Sequence, residues 1–154
     1  MERTMKTFKE YLTEEHPMYK MDPHTFDQSE KGWRSLPEKE QTKVLSGYIR
    51  KHIDKNKEFK KTAPQGQKSV DPRVLHWHLG QTYAMNGNNK KAIHHMKKSL
   101  SNDDHQWNSY AHATMSFIKG DKASFDKHAS GDNYNKDTLD RLSKGFGKPY
   151  RDAY

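Results

Sequence analysis

The fold is decided by the stretch Asp71-Pro72-Arg73-Val74-Leu75-His76-Trp77-His78-Leu79-Gly80-Gln81-Thr82-Tyr83-Ala84-Met85-Asn86-Gly87. Within it, Leu75, Leu79 and Tyr83 recur at the spacing of one face of an α-helix. The Asp-Pro pair at its start suits a helix cap followed by a proline in the first turn. The pattern predicts an amphipathic helix that ends near Gly87.

The same alternation of caps, apolar stripes and glycines continues from residue 88 to residue 145. Asparagine or aspartate can cap these segments, and glycine ends several of them, as helix boundaries favour. No segment alternates β-branched and polar residues as a strand would. The sequence therefore predicts an all-α fold of short antiparallel helical hairpins, whose inward residues include Ala92, Ile93, Met96, Leu100, Trp107, Tyr110, Phe117, Phe125, Leu139 and Leu142.

A longer amphipathic helix is predicted upstream, over residues 37–62. Ser35 and Glu38 fit a capping box at its start, and Pro64 follows its end. Its apolar stripe is Val44, Leu45, Tyr48, Ile49 and Ile53. We therefore divide the chain into an N-terminal helix (1–16), an irregular arm (17–36), a single helical domain (37–145) and a tail (146–154).

Composition limits the size of the core and the classes of protein that fit. Leu, Ile, Val and Phe number only 21 of the 154 residues, although three Trp, eight Tyr and seven Met add large side chains. The longest apolar run has three residues, so no membrane span or secretory signal is predicted. The absence of cysteine excludes disulfides and thiolate zinc sites. The net charge of +8 favours a polyanionic partner.

Residues 73–130 resemble the tetratricopeptide repeat, a helix-turn-helix unit of about 34 residues. The resemblance lies in Leu79-Gly80-x-x-Tyr83, followed by Gly87 and Ala92. Small residues at Gly80 and Ala92 would let two helices approach closely. A second, degenerate unit begins one repeat length later. Its matching residues are Trp107, Tyr110, Thr114 and Phe117, while His76 and Asp104 depart from the family's usual Trp and Pro.

Such a repeat implies a concave face that holds a peptide or a helix of another protein. The same pattern also fits a plain helical bundle without a binding groove. If the repeat is present, we expect the concave face to be formed by Trp77, Gln81, Met85, Asn108, Met115 and Lys119.

Catalytic and metal-binding patterns are not found in the sequence. His76 and His78 are two residues apart and His94 and His95 are adjacent, so neither pair shares a helix face as zinc ligands would. The segment 144–148 contains two glycines but lacks the phosphate-loop pattern. We therefore expect no enzymatic activity, no metal and no cofactor.

Basic residues are concentrated after Ile49, in a run that can contact phosphates without reading bases. An ordinary solvated helix face is the alternative. We expect DNA or another polyanion to bind at Arg50, Lys51, Lys55, Lys57, Lys60 and Lys61.

Residues 5–15 read Met-Lys-Thr-Phe-Lys-Glu-Tyr-Leu-Thr-Glu-Glu. This segment resembles the capsid-targeting propeptide of the internal head proteins of T-even-type tailed phages. The stretch from Trp33 to Glu40 is similar to part of one small basic protein of that family. The resemblance implies cleavage by the phage prohead protease after the triplet Leu12-Thr13-Glu14, so that Glu15 begins the mature chain.

The family resemblance implies a phage protein that is made in the host cytoplasm and packaged in the head interior with capsid or scaffold as partner. Four residues precede its motif, and residues 73–130 have no counterpart in it. The sequence thus favours a non-enzymatic basic internal head protein that binds DNA by charge. The alternative is a tetratricopeptide-like adaptor that binds a protein through the concave face.

Overall fold

A computed structural model describes residues 16–54, 71–131, 133 and 135–154. Its described part consists of helices and connecting turns without a strand, so the prediction of an all-α fold is confirmed. Short 3-10 helices span Pro17–Lys20 and Trp33–Ser35, and a π-helical turn spans Arg50–Asp54. The α-helices are α1 (Pro23–Gln28), α2 (Glu38–Ile49), α3 (Pro72–Met85), α4 (Asn89–Lys97), α5 (His105–Lys119), α6 (Lys122–Ala129), α7 (Lys136–Lys144) and α8 (Tyr150–Ala153).

Helices α3 and α4 form the first packed pair. His76 contacts His95, and Gly80 lies against Ala92 and Met96, so the two helices run antiparallel. A Cβ atom on Gly80 would lie 2.8 Å from Met96 Cγ and 3.0 Å from the Ala92 carbonyl oxygen. Glycine is therefore required for this separation of the two helices.

Helices α5 and α6 form the second pair, and they are also antiparallel. The hydroxyl oxygens of Ser116 and Ser124 lie 2.8 Å apart across it. Further along, the rings of His112 and His128 stack with centroids 5.0 Å apart. The tetratricopeptide resemblance of the two pairs stays a prediction.

Helix α3 is central because it contributes to both apolar clusters of the described chain. Leu75 and Leu79 pack with α1 and α2, while Trp77 and Ala84 pack with α4 to α8. The cluster around α4 to α8 is made largely of aromatic and alanine side chains, whereas the cluster around α1 and α2 combines three aromatic rings with most of the buried Val, Leu and Ile residues.

The prediction of an irregular arm at residues 17–36 is wrong, because this segment packs into one of the two clusters. Phe26 is fully buried, and its ring stacks on Tyr48 of α2 with centroids 3.8 Å apart. The buried Asp27 carboxylate accepts a hydrogen bond of 2.9 Å from the Trp33 indole N–H. It also lies 3.8 Å from His78 of α3, which ties the segment to the rest of the fold.

The predicted helix at 37–62 begins as expected but is not capped as expected. Pro37 occupies the N-cap position of α2, and the Ser35 hydroxyl donates to the Gly32 carbonyl instead of capping. The α-helical part ends at Ile49 and continues as the π-helical turn. Residues 55–62 lie outside the described part of the chain.

The prediction of a tail at residues 146–154 is also wrong, since this segment ends in the short helix α8. Tyr150 is buried, and its hydroxyl accepts a hydrogen bond of 3.3 Å from the Gln81 amide of α3. The Arg151 guanidinium donates to the Met85 carbonyl at 3.0 Å and pairs with Glu38 of α2. Helix α8 therefore lies on the face of α3 that we expected to be open.

Candidate polyanion-binding face on α4

The outer side of α4 carries four lysines and a histidine within about one third of the helix circumference. Lys90, Lys91, Lys97 and Lys98 are all exposed, as is His94 between them. Their spacing of one, three, three and one residues places them on one side of the helix, because each turn takes about 3.6 residues. We call these five residues the α4 cationic face.

The orientation of this face is fixed by the opposite side of the helix. Ala92 and Met96 are fully buried against Gly80 of α3. The Asn88 side chain caps the first turn by accepting from the Lys91 backbone N–H at 3.3 Å. After the helix, the Ser99 carbonyl accepts from the Trp107 indole N–H at 2.9 Å, which fixes the far end to α5. The lysines therefore project from a rigid support.

Aromatic rings fill the space at the edge of the α4 cationic face. The Lys91 ammonium lies 5.5 Å from the Tyr83 ring centroid, within the range of a cation–π contact. The Tyr83 ring stacks in turn on His95, with centroids 5.6 Å apart. Tyr83 is therefore covered on the side of α4 and supports the cation rather than offering a free ring.

No carboxylate neutralises these lysines within the described part of the chain. Residues 72–102, which include all of α3 and α4, contain no Asp or Glu at all. Among the described residues, none of the ion pairs involves a lysine of the α4 cationic face. Their charges add to one another, which raises the local positive potential.

The whole net charge of the protein is carried by one part of its sequence. Residues 55–102 contain ten Lys and Arg against two acidic residues, a balance of +8. The remaining 106 residues contain 18 basic and 18 acidic side chains, so they are neutral. The polyanion site predicted from the sequence covers only residues 50–61. A count of acidic residues along the chain would have found the α4 cationic face as well.

The structure describes only part of the predicted polyanion site. Arg50 is exposed and Lys51 is half-buried in the π-helical turn after α2. The other residues of that prediction, Lys55, Lys57, Lys60 and Lys61, lie outside the described part of the chain. The same holds for the predicted cleavage residues Leu12, Thr13, Glu14 and Glu15.

The six residues predicted for a concave binding face do not form an open surface. Trp77 and Met115 are buried in the core, which contradicts their predicted role. The Gln81 amide is bonded to Tyr150, and the Asn108 amide donates to the Ser101 carbonyl at 2.7 Å. Of the remaining two, Met85 is half-buried and Lys119 is exposed. Four of the six residues therefore do not offer the open face that the adaptor hypothesis requires.

Burial raises the pKa of the Tyr150 phenol and lowers that of the His78 imidazole. Asp27 partly opposes the effect on His78. Both shifts favour the neutral forms, so the two side chains act as hydrogen-bonding groups of the interior at neutral pH.

Two histidines that are 19 residues apart in the sequence, His76 and His95, contact each other between α3 and α4. His76 Nδ1 and His95 Nδ1 are 3.2 Å apart, while the ring centroids are 5.5 Å apart. The distance between the two nitrogens is within hydrogen-bond range, with one ring as donor and the other as acceptor. Across the described residues, no group of three or more His, Asp or Glu side chains converges on a common point.

A cleft between the start of α3 and the turn before α5 contains polar groups that are engaged in structure. Arg73 pairs with Asp71 at 2.6 Å, and Asp104 accepts from the Trp107 backbone N–H at 3.0 Å as the cap of α5. These contacts stabilise helix ends. The Ser101 hydroxyl, which also lines the cleft, donates to the Asp103 carboxylate at 2.7 Å and accepts from the Asp103 and Asp104 backbone N–H groups, so it is part of the turn that begins α5.

Comparisons with known proteins give no relative for this chain. No family model, curated protein or solved structure matches it. In the described part of the chain, no helix combines the length and the apolar character that a membrane crossing requires.

Proposed function

We propose that this protein is a non-enzymatic, sequence-indifferent DNA-binding protein. The observation that carries the proposal is the α4 cationic face, where four exposed lysines stand in a segment of 31 residues without a carboxylate. DNA is a polymer of closely spaced negative charges, and lysines that neutralise them release bound counterions. That release is the driving force of binding without base recognition.

The make-up of the α4 cationic face supports contact with phosphates rather than bases. In a groove, Asn and Gln read adenine and Arg and Lys can read guanine, whereas Arg and Lys are also common partners of phosphates, which carry no sequence information. The face consists of lysine and histidine, and the nearby Asn88 side chain is used as the cap of α4. Binding should therefore be indifferent to sequence and strongly dependent on salt.

We further propose that the protein is an internal head protein of a tailed phage. The support is the resemblance of residues 5–15 to the capsid-targeting propeptide of that family. Residues 1–14 carry three basic and three acidic side chains, so cleavage after Glu14 would leave 140 residues that still carry +8. A small cationic protein of this kind would be retained in the head by the packaged DNA.

Binding of the full chain to two duplexes of unrelated sequence, measured by fluorescence anisotropy, tests the DNA-binding proposal. We expect binding at 50 mM salt with equal affinity for both duplexes, and a steep loss of affinity by 200 mM salt. If neither duplex binds at 50 mM salt, DNA is not the partner. A clear preference for one duplex would instead show that the protein reads bases.

Co-expression with the prohead protease of a T-even-type phage tests the assignment to the phage head. Mass spectrometry should find a chain that begins at Glu15, and Glu14→Ala should prevent its formation. Glu15→Ala serves as the control, because it lies on the other side of the scissile bond. An uncleaved wild-type chain would contradict the head assignment without affecting the DNA-binding proposal.

A further inference from the structure

We infer that the α4 cationic face is built for the phosphate backbone of double-stranded nucleic acid rather than for a single strand. This inference rests on the proposed function and specifies the form of nucleic acid that is bound. Three features of α4 support it: the spacing of its lysines, the lack of a free aromatic ring beside them, and the rigid packing of the helix.

The lysines of α4 form two pairs, Lys90 with Lys91 and Lys97 with Lys98. The pairs are seven residues apart, which is about 10.5 Å along the axis and two turns around it. They therefore lie one above the other on the same side of the helix. Two groups of cations at this distance can contact the two phosphate rows on either side of a duplex groove, which is about 6 Å wide on the minor side and 12 Å on the major side.

The rigidity of α4 makes this spacing a property of the protein. Met96 lies between the two lysine pairs in the sequence and is fully buried on the opposite side of the helix. Its close contact with Gly80 of α3 fixes the position of α4. A single strand would have to adopt a matching path at an entropic cost, whereas a duplex presents two phosphate rows in fixed positions. The charge density also favours the duplex, which carries one charge per about 1.7 Å of axis.

A single-strand site would need aromatic platforms, because bases that are not paired bind largely by stacking. The aromatic residue nearest to the lysines, Tyr83, is half-buried and lies between Lys91 and His95. In the described part of the chain, the exposed large hydrophobic residues are Val74 and Tyr154, and neither belongs to α4. This face can therefore bind phosphates but offers unpaired bases little stacking surface.

Anisotropy titrations against a duplex of 24 base pairs and a single strand of 48 nucleotides provide the test, since the two probes have nearly the same number of phosphates. We expect the wild-type chain to bind the duplex at least tenfold more tightly at 50 mM salt. K90Q/K91Q and K97Q/K98Q should each lower the slope of log affinity against log salt on the duplex by about 1.8, because each phosphate contact contributes about 0.9.

The matched control is K119Q/K127Q, which removes two exposed lysines of the α5–α6 pair and leaves α4 unchanged. It should reduce the slope by much less than either α4 double variant. Equal or tighter binding to the single strand would overturn the inference while leaving the DNA-binding proposal intact. A reduced salt slope in only one of the two α4 double variants would also overturn the inference, because both lysine pairs must contact the duplex. Failure of the wild-type chain to bind either probe would refute the proposed function itself.

Discussion

The pairs α3–α4 and α5–α6 are built alike but present different surfaces. In each, the second helix is capped by a side chain of the preceding turn, Asn88 for α4 and Asp121 for α6. The exposed lysines of α6 are accompanied by Asp121 and Asp126, and Lys122 pairs with Asp126 within the helix. The exposed lysines of α4 have no such partners among the described residues. The pairs thus share a mode of packing and differ in charge.

This difference distinguishes the residues that the fold requires from the surface residues that can vary without loss of the fold. Packing of the second helix depends on its inward residues, which are Ala92 and Met96 in α4 and chiefly Phe125 in α6. The outward residues make few contacts and can change without loss of the fold. The uncompensated row of cations on α4 is not required by the packing of the helix, and it is the feature on which the proposed DNA binding rests.

The largest effect on stability is expected where the two pairs meet. Trp107 of α5 packs edge-on against Trp77 of α3, with ring centroids 4.9 Å apart, and bonds to the Ser99 carbonyl after α4. Trp107→Ala should lower the free energy of unfolding by about 3 kcal/mol, measured by urea denaturation. Trp107→Phe keeps an aromatic ring and should cost less. If both variants unfold like the wild type, the pairs are not coupled through this residue.

A smaller loss of stability is expected from substitutions inside each pair, and its physical cause should differ between the two pairs. Gly80→Leu places a side chain where Met96 and the Ala92 carbonyl already lie, and should destabilise by about 1–3 kcal/mol through overpacking. Thr114 is the fully buried residue one repeat length later, in α5. Thr114→Ser should lower the free energy of unfolding by about 0.8 kcal/mol, because one buried methyl group is removed. Thermal unfolding of both variants checks this. A Gly80→Leu protein that melts like the wild type would contradict the close contact.

The helices of both pairs could be predicted from the sequence because local signals agree there. The caps are Asn88, Asp104 and Asp121, the residue types that the sequence pattern indicated, and Gly80 lies at the close contact that its size predicted. These signals depend on neighbours in the chain and on helical periodicity, both of which are visible in one sequence.

Contacts between distant segments could not be predicted in the same way. Phe26 stands among polar residues, and only its stacking on Tyr48 shows that residues 17–36 belong to the core. Tyr150 follows a glycine-rich stretch that resembles a tail, yet it covers α3. Trp77 and Met115, which the repeat pattern places on an open face, are likewise buried, and the Trp77 ring packs against Trp107 and Tyr110 of α5.

A lower pH should reduce the stability of the two helix pairs to different degrees. Burial lowers the pKa of His78 in α3, and burial together with His128 lowers that of His112 in α5. The unfolded chain therefore binds protons that the folded chain does not, so the free energy of unfolding should be highest above about pH 6.5 and fall as the pH decreases.

The two histidines can be compared by denaturation between pH 7.5 and pH 5.5. His78→Gln should flatten the pH dependence more than His112→Gln, because the His78 side chain is only 19% exposed and burial is the main cause of both shifts. An equal or larger effect of His112→Gln would show that the second pair is the more acid-sensitive one.

The smallest effect on stability is expected when the charge of α6 is made to resemble that of α4. Asp121→Asn with Asp126→Asn keeps a capping side chain, since asparagine caps as well as aspartate. It removes one exposed ion pair, which contributes about 0.3–0.5 kcal/mol. The change in unfolding free energy should therefore stay below about 0.5 kcal/mol, and affinity for duplex DNA at 50 mM salt should stay close to that of the wild type, because α6 is not part of the α4 cationic face. A clear rise in affinity would mean that total charge, and not the α4 cationic face, determines binding.

The most direct test of the account compares two variants of equal charge. K90Q/K91Q/K97Q/K98Q removes the lysines of the α4 cationic face, whereas K119Q/K127Q/K136Q/K144Q removes four exposed lysines from α5, α6 and α7. Both variants carry a net charge of +4. We predict that the first variant loses about 3.6 from the slope of log affinity against log salt on duplex DNA and most of its affinity, while the second stays close to the wild type. Equal losses in both variants would contradict it, because binding would then depend on total charge and not on α4.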